Sequence, residues 1–266
     1  MNNIACAVLA FKRPKYLRRV IDSLAKNTRA AEVDWYFFVD GAVTKNGIKR
    51  ADFNKIRQVI SKIHDFPMPY MINISEINDG IAKQKQKAHQ LFDSYEQVIF
   101  FEDDMIVSPF YISLLINMQK AFPNDLVAAP ATATKNIEEK ASIKHIRDIR
   151  QHFWGYSLKA YTFQKIKSKF DAYCEDVGDD YKRRPHKLLK EKHNLRVSSH
   201  DGALGAAMKE QNIRRINTML PRAQYIGRED GTNFKTSAYD SAGFGKTRQI
   251  TFPEDEYNKA FIWWRK

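Results

Sequence analysis

Cysteine is nearly absent from this chain. Only Cys6 and Cys174 occur, far apart and without metal-ligand spacing, so they offer neither a disulfide framework nor a thiolate metal site and suit a reducing compartment. Long apolar runs are missing too. No segment reaches the roughly 20 residues that span a bilayer, and the N-terminus has no signal-peptide core. Neither Gly-x-Gly-x-x-Gly nor a Walker-type loop occurs, which argues against dinucleotide and ATP binding. There is no internal repeat and no low-complexity tract. Negative charge is in deficit: 44 Lys and Arg face 31 Asp and Glu, a formal excess of +13. Such a balance either favours a polyanionic partner (nucleic acid, acidic glycan or anionic membrane) or serves solubility alone.

What is present alternates. IACAVLAF (4–11) has the continuous apolar character of a central strand buried on both faces, and Pro14 then opens a helix carried by Leu17, Val20, Ile21 and Leu24. DWYFFVDGA (34–42) reads as a second strand ending in Asp40-Gly41, and Phe53, Ile56, Val59, Ile60 and Ile63 mark an amphipathic helix. YMINIS (70–75) is a third strand, followed by a Gly turn and a basic helix in INDGIAKQKQKAHQLFDSY. QVIFFEDD is a fourth strand, and Ser108-Pro109 starts a helix with Leu114, Leu115, Met118 and Phe122 on one face. This order predicts an α/β fold, a mostly parallel sheet flanked by helices with its ligand crevice at the strand ends. After about residue 125 the alternation loosens. LVAAPATA reads as a further strand, HFWGYSLKAYTFQKIK as aromatics and a Gly that turn helical, and the last thirty residues as an irregular tail. Residues 182–196 carry seven Lys or Arg and one Glu.

The run VIFFEDDMIVSP (98–109) drives Glu102, Asp103 and Asp104 into the end of a buried strand. Carboxylates so placed repel one another and are costly to desolvate. A divalent cation compensates them most simply, and hard oxygen ligands suit Mg or Mn, which in turn neutralise phosphate oxygens. A solvated acidic turn is the plainer alternative.

VIFFEDDMIVSPFY resembles the acidic motif of the GT-A nucleotide-sugar glycosyltransferases, in the Glu-Asp-Asp variant of Asp-x-Asp. It is most similar to the inverting N-acetylglucosaminyltransferase group that initiates complex N-glycan branching. The resemblance runs in order over roughly residues 1–235, through IACAVLAFKRPKYLRRVIDSL, FFVDGA, DGIAKQKQKAHQLF, HFWGYSLKAYTFQKI, SSHDGALGAAM and LPRAQYIGREDGTNF. It implies a single GT-A (Rossmann-like) domain over 1–266, with a nucleotide-sugar-binding half at 1–125 and an irregular acceptor-side half and tail at 126–266. It also implies a UDP-sugar donor and a Mn or Mg cation. Asp104 matches the metal-binding Asp, and Glu102 and Asp103 match residues facing ribose and sugar. Arg13 and Asp40 match positions near the donor base and ribose, and Asp201 matches the catalytic base. Gly202, Ala203 and Leu204 replace the family's aromatic neighbours of the base, and the family's membrane anchor has no counterpart, which points to a cytoplasmic enzyme.

The residues themselves leave alternatives open. Asp201, at a helix start followed by small residues, is either a general base or a plain N-cap. Trp154 either stacks on a sugar ring or packs beside its Gly turn, and a lone His200 is expected neither to ligate nor to contact phosphate. Lys83, Lys85 and Lys87 either approach the donor diphosphate or form a solvated helix face, the latter being the expectation for Lys85. Arg228, between flexible Gly neighbours, is the stronger diphosphate candidate, and residues 228–236 read as a loop that orders over the donor. The basic run, led by Lys182, Arg183 and Arg184, is placed to hold a polyanionic acceptor. Hydroxymethylated phage-type DNA, with Trp263 and Trp264 stacking on bases, is slightly preferred to a lipopolysaccharide or lipid-linked glycan. Two other classes compete: a nucleotidyltransferase, for which FKRPKY lacks the expected Gly, and a nucleic-acid-binding module without catalysis.

Overall fold

The computed structural model describes residues 3–128, 146–148, 153–218, 221–229 and 236–246. Its elements are β1 (Ile4–Ala10), α1 (Pro14–Ala25), β2 (Asp34–Val39), α2 (Phe53–His64), β3 (Tyr70–Ile74), α3 (Gly80–His89), β4 (Gln97–Glu102), β5 (Met105–Val107), α4 (Tyr111–Ala121), β6 (Leu126–Ala128), β7 (Ile146–Asp148), β8 (Tyr156–Lys159), α5 (Ala160–Asp176), α6 (His186–Lys192), α7 (His200–Glu210), β9 (Arg215–Thr218), β10 (Ala223–Tyr225) and α8 (Thr236–Ala242).

Eight strands form one sheet in the order β3-β2-β1-β4-β8-β6-β9-β7, and β5 pairs with β10 in a separate ribbon. The pairs β1–β2, β1–β4, β2–β3 and β6–β9 are parallel; β8 runs antiparallel to both β4 and β6, and β7 antiparallel to β9. β1 is central, as its unbroken apolar character requires. Successive residues alternate between two cores: Cys6 and Val8 pack with α1, α2 and α4, while Ala7 and Leu9 pack with α3, α5 and α7. β4 repeats the pattern, with Ile99 and Phe101 on one side and Val98 and Phe100 on the other. In α1, Leu17, Val20, Ile21 and Leu24 are all buried and Pro14 occupies the first turn, where its missing N–H costs no helical bond.

The second half departs from the sequence expectation in detail. A strand, β8, precedes α5 with no turn between them, because Lys159 caps the helix directly from extended backbone. The apolar stretch after the acidic run contains β5, a three-residue strand whose partner β10 lies more than a hundred residues later. Of LVAAPATA, residues 126–128 form β6 and the remainder lies outside the described residues, as do Trp263 and Trp264.

Strand order reverses at β1: the chain moves outward through β2 to β3, then returns to place β4 on the other side of β1. Parallel strands leave a crevice where their carboxyl ends diverge at such a point. β1 and β2 are followed there by Phe11 and Asp40, and β4 ends there in Glu102. Gly41, just after β2, packs against backbone: a Cβ there would lie 2.3 Å from the carbonyl carbon of Ile77. Gly41→Ala is therefore expected to lower the unfolding free energy by more than about 2 kcal/mol in urea titrations. Gly47→Ala, at φ +76 but with nothing within 4 Å, should cost only about 1 kcal/mol. Equal losses would contradict the close approach at Gly41.

Candidate active site

The crevice holds a cleft of about 380 Å³, lined on one side by Phe11, Arg13, Asp40, Glu102, Asp103 and Asp104, and on the other by Lys182, Arg184, His200 and Asp201. Asp103 and Asp104 form the turn between β4 and β5, so both carboxylates leave the sheet at its carboxyl edge. Asp103 accepts from the Phe11 amide at 3.1 Å and from the Arg13 guanidinium. Arg13 also reaches Asp104 Oδ2 at 2.7 Å. Tyr225, delivered by the β5–β10 ribbon, donates its hydroxyl to Asp104. Gly227 leaves no room for a side chain at this point, because a Cβ would lie 2.5 Å from Asp104 Oδ2. Burial pushes the Asp104 carboxyl above its ordinary range, against the pull of Arg13.

The opposite wall is built at the start of α7. Ser199 is its N-cap, accepting from the Gly202 amide at 3.1 Å. Asp201 is therefore not the cap; it stands in the first turn with its side chain 27% exposed to the cleft. Its Oδ1 accepts from Lys85 Nζ at 3.5 Å and lies 3.0 Å from His200 Nε2. Tyr181 hydroxyl lies 2.9 Å from His200 Nδ1 and accepts from the His200 amide at 3.1 Å. His200 Nε2 lies close to Asp201 but makes no hydrogen bond to it. Burial works against charge on Asp201, but His200 and Lys85 hold the carboxylate well below its usual range.

Lys85 overturns the expectation of a solvated helix face. It is among the most buried side chains, 1% exposed, and its ammonium lies between Asp201 and Glu102 Oε1, 3.3 Å from the latter. The reason is helical geometry. Ala82, Lys85, Ala88 and His89 share the buried face of α3, and the long Lys stem runs past small alanines to the sheet edge. Its charge persists because Asp201 and Glu102 outweigh the cost of burial. Glu102 itself is pushed up by burial and by Asp104 and Asp201. His200, expected to be a bystander, and Tyr181 and Tyr225 also belong to the site. The signal for Lys85 was its 3/4 spacing from Ala82, Ala88 and His89; the other three had none.

The remaining sequence-selected residues are spread out. Trp154 lines the cleft but stacks on Tyr225 at 4.4 Å and meets Phe244 edge-on, so most of its ring is committed to packing. Lys182 and Arg184 reach the cleft, whereas Arg183 is exposed outside it. Lys83 pairs with Asp179 at 3.5 Å, away from the lining. Arg228 forms two 2.9 Å contacts with Asp240 on the surface. Residues 230–235 of the expected closing loop lie outside the described residues.

A divalent cation suits the charge of this cleft. Its ion-paired cluster sets Glu102, Asp103, Asp104 and Asp201 against the cations Arg13 and Lys85, leaving negative charge in excess. Asp104 Oδ1 is buried without a hydrogen-bond partner, an arrangement that normally signals a missing ligand. No group of three or more His, Cys, Asp or Glu able to hold a metal occurs among the described residues. One carboxylate with phosphate oxygens and water is nevertheless an ordinary Mg or Mn environment.

Asp40 has a different occupation. Its two oxygens accept from Asn78 Nδ2 at 2.7 Å, Gln84 Nε2 at 3.1 Å, and the amides of Gly41, Asp79 and Gly80 at 3.0, 2.8 and 3.0 Å. It thus holds the N-terminus of α3, with burial pushing its carboxyl up to about 6 against those hydrogen bonds. Asp40→Asn puts an amide N–H₂ against donors and should lower stability by about 2 kcal/mol or more in urea titrations. A loss under about 0.5 kcal/mol would show that the helix start does not depend on this carboxylate.

No protein-family model matches this sequence, and no curated protein matches it. Solved structures do. The S. aureus TarS 1-349 structure superposes with a TM-score of 0.51 at 12% identity, covering 91% of this chain and 69% of that one. GalNAc-T7 with UDP, GalNAc and Mn2+ superposes with a TM-score of 0.54 at 9% identity, covering 85% of this chain and 44% of that one. The chain spans 30% of the longer S. aureus TarS structure. At such identities the likeness is one of fold, and it shows that this chain has the α/β fold of the GT-A glycosyltransferases.

Proposed function

We propose that this protein is a metal-dependent, inverting glycosyltransferase that moves a monosaccharide from a UDP-sugar to an acceptor hydroxyl. The observation that carries the reading is the pairing of Asp201, its Oδ1 engaged by Lys85 and its side chain lining the cleft, with the buried acidic turn across the same crevice. Asp201 Oδ2 takes the acceptor proton as the acceptor oxygen bonds the anomeric carbon. The anomeric C–O bond to the diphosphate breaks, and its electron pair leaves with the diphosphate. A single displacement with one base and no placed nucleophile inverts the centre. Arg13, Lys182 and Arg184 line the cleft and supply positive charge for the donor phosphates. A Mn or Mg ion bound through Asp104 would neutralise the leaving diphosphate. The N-acetylglucosaminyltransferase-like resemblance supports the same assignment of Asp104 and Asp201.

The acceptor we assign is a polyanion held by the basic run 182–196, with hydroxymethylated DNA as the first reading. Because the reacting hydroxyl must enter a cleft, a duplex target base would have to be flipped out. The exposed Leu188 within that run and Val197 just after it, 51% and 57% accessible, favour a second reading, a lipid-linked or lipopolysaccharide glycan at an anionic membrane. Binding to duplex DNA across a salt series separates them. For DNA, affinity falls steeply with salt and is weakened by neutralising Lys182, Arg183 and Arg184; retention on anionic vesicles without DNA binding selects the glycan.

A panel of nucleotide sugars tested by thermal shift with and without Mn addresses the donor. The metal-dependent shift is expected with a UDP-sugar and should disappear in Asp104→Asn while the unliganded melting temperature stays close to wild type. Asp201→Asn should keep donor affinity and lose about 100-fold or more in transfer. Undiminished Mn-dependent turnover in either variant would remove that residue from its role, and NMR of a product with retained anomeric configuration would overturn the single displacement.

A further inference from the structure

Resting on the reading of Asp201 as the base, we propose that Lys85 is a positioning residue. Its buried ammonium, shared between Asp201 and Glu102, fixes Asp201 Oδ1 so that Oδ2 is the oxygen presented to the acceptor hydroxyl.

The geometry makes this specific. Lys85 donates to Asp201 Oδ1, and His200 Nε2 lies 3.0 Å from the same oxygen, which leaves Oδ2 as the proton acceptor of a side chain that is 27% exposed. The groups facing Asp201 come from six elements: Lys85 of α3, Glu102 of β4, Tyr156 of β8, Tyr181 of the turn before α6, His200 of α7 and Arg215 of β9. Burial lowers the His200 pKa against the opposing pull of Asp201. Lys85 is the one Lys or Arg within ion-pair distance of Asp201 among the described residues. Its nitrogen also lies 5.5 Å from the centre of the Tyr156 ring, whose face accommodates the charge.

Sharing matters during turnover. When Oδ2 receives the acceptor proton, Asp201 loses its charge, and a cation dependent on it alone would be left buried and unpaired at a cost of several kcal/mol. Glu102, the second carboxylate within ion-pair distance, remains beside Lys85 through that step. The ammonium therefore stays in place and holds Oδ1 in the same position before and after proton transfer.

The test reads Asp201 directly, in the full chain, by carboxyl-carbon NMR with the resonance identified by its loss in Asp201→Asn. In wild type that resonance is expected to show no protonation step of its own between pH 7 and pH 4, apart from smaller shifts as Glu102 and His200 titrate beside it. In Lys85→Gln its titration should move upward toward the ordinary carboxylate range, so that a protonation step of its own appears near pH 4. Turnover of UDP-glucose and UDP-N-acetylglucosamine with Mn should lose about 30-fold in kcat, with KM within about threefold, and Lys85→Arg should recover part of the loss. An ordinary carboxylate titration for Asp201 in wild type overturns the proposal without any Lys85 variant, should Lys85→Gln not fold. So does a Lys85→Gln protein in which both the titration and kcat are unchanged. Absence of turnover in wild type would count against the glycosyltransferase reading, and the NMR titration would still decide the role of Lys85.

Discussion

The structure around the cleft depends on one electrostatic constraint: carboxylates at the buried carboxyl end of β4 must be compensated. Three acidic side chains follow Phe101 at the sheet edge, where desolvation disfavours their charged forms. Arg13 answers for Asp103 and Asp104 from the loop after β1, and Lys85 answers for Glu102 from α3. Parallel pairing of β1 with β4 places Leu9 beside Glu102, which puts the Arg13 loop next to the acidic turn. Register and electrostatics are two aspects of one requirement here.

Helix α3 carries much of this load. Its first turn is held by Asp40 at the end of β2, its centre supplies Lys85, and Lys87 near its end pairs with Asp79. Although Asp40 lines the cleft, its oxygens serve the helix: by fixing where α3 starts, it fixes where the Lys85 ammonium arrives. The opposite wall shows the same economy, with Ser199 capping α7 so that Asp201, two residues on, faces the cleft. The fold of the GT-A glycosyltransferases supplies the crevice, and these two helix starts determine which side chains enter it.

Much of the architecture was legible because long, strongly patterned segments leave few options. The run 4–11 had to be a central strand, since eight nearly unbroken apolar residues need two cores, and Pro14 with its 3/4 spacing had to open a helix. The acidic triplet was visible as a conflict between a hydrophobic strand and the charges at its end. β5, β8 and β10 were not legible, because strands of three or four residues take their identity from partners distant in sequence. Lys85 was misjudged for a related reason: a basic helix was read by composition, whereas the buried face is set by Ala82, Ala88 and the sheet beneath them.

By itself the sequence determined the parallel α/β core, the placement of Glu102, Asp103 and Asp104 at a strand end, and Asp201 near a helix start. Each follows from local pattern, where periodicity and turn chemistry act over a few residues. Only the tertiary structure decided that Asp40 serves a helix N-terminus with both oxygens, that Trp154 packs on Tyr225, and that Arg228 pairs with Asp240 on the surface. It alone brought Lys85 between Glu102 and Asp201, residues 17 and 116 positions away. The physical reason is that a side chain's charge and hydrogen-bond partners are set by neighbours in space, and those neighbours come from chain closures that no local pattern encodes.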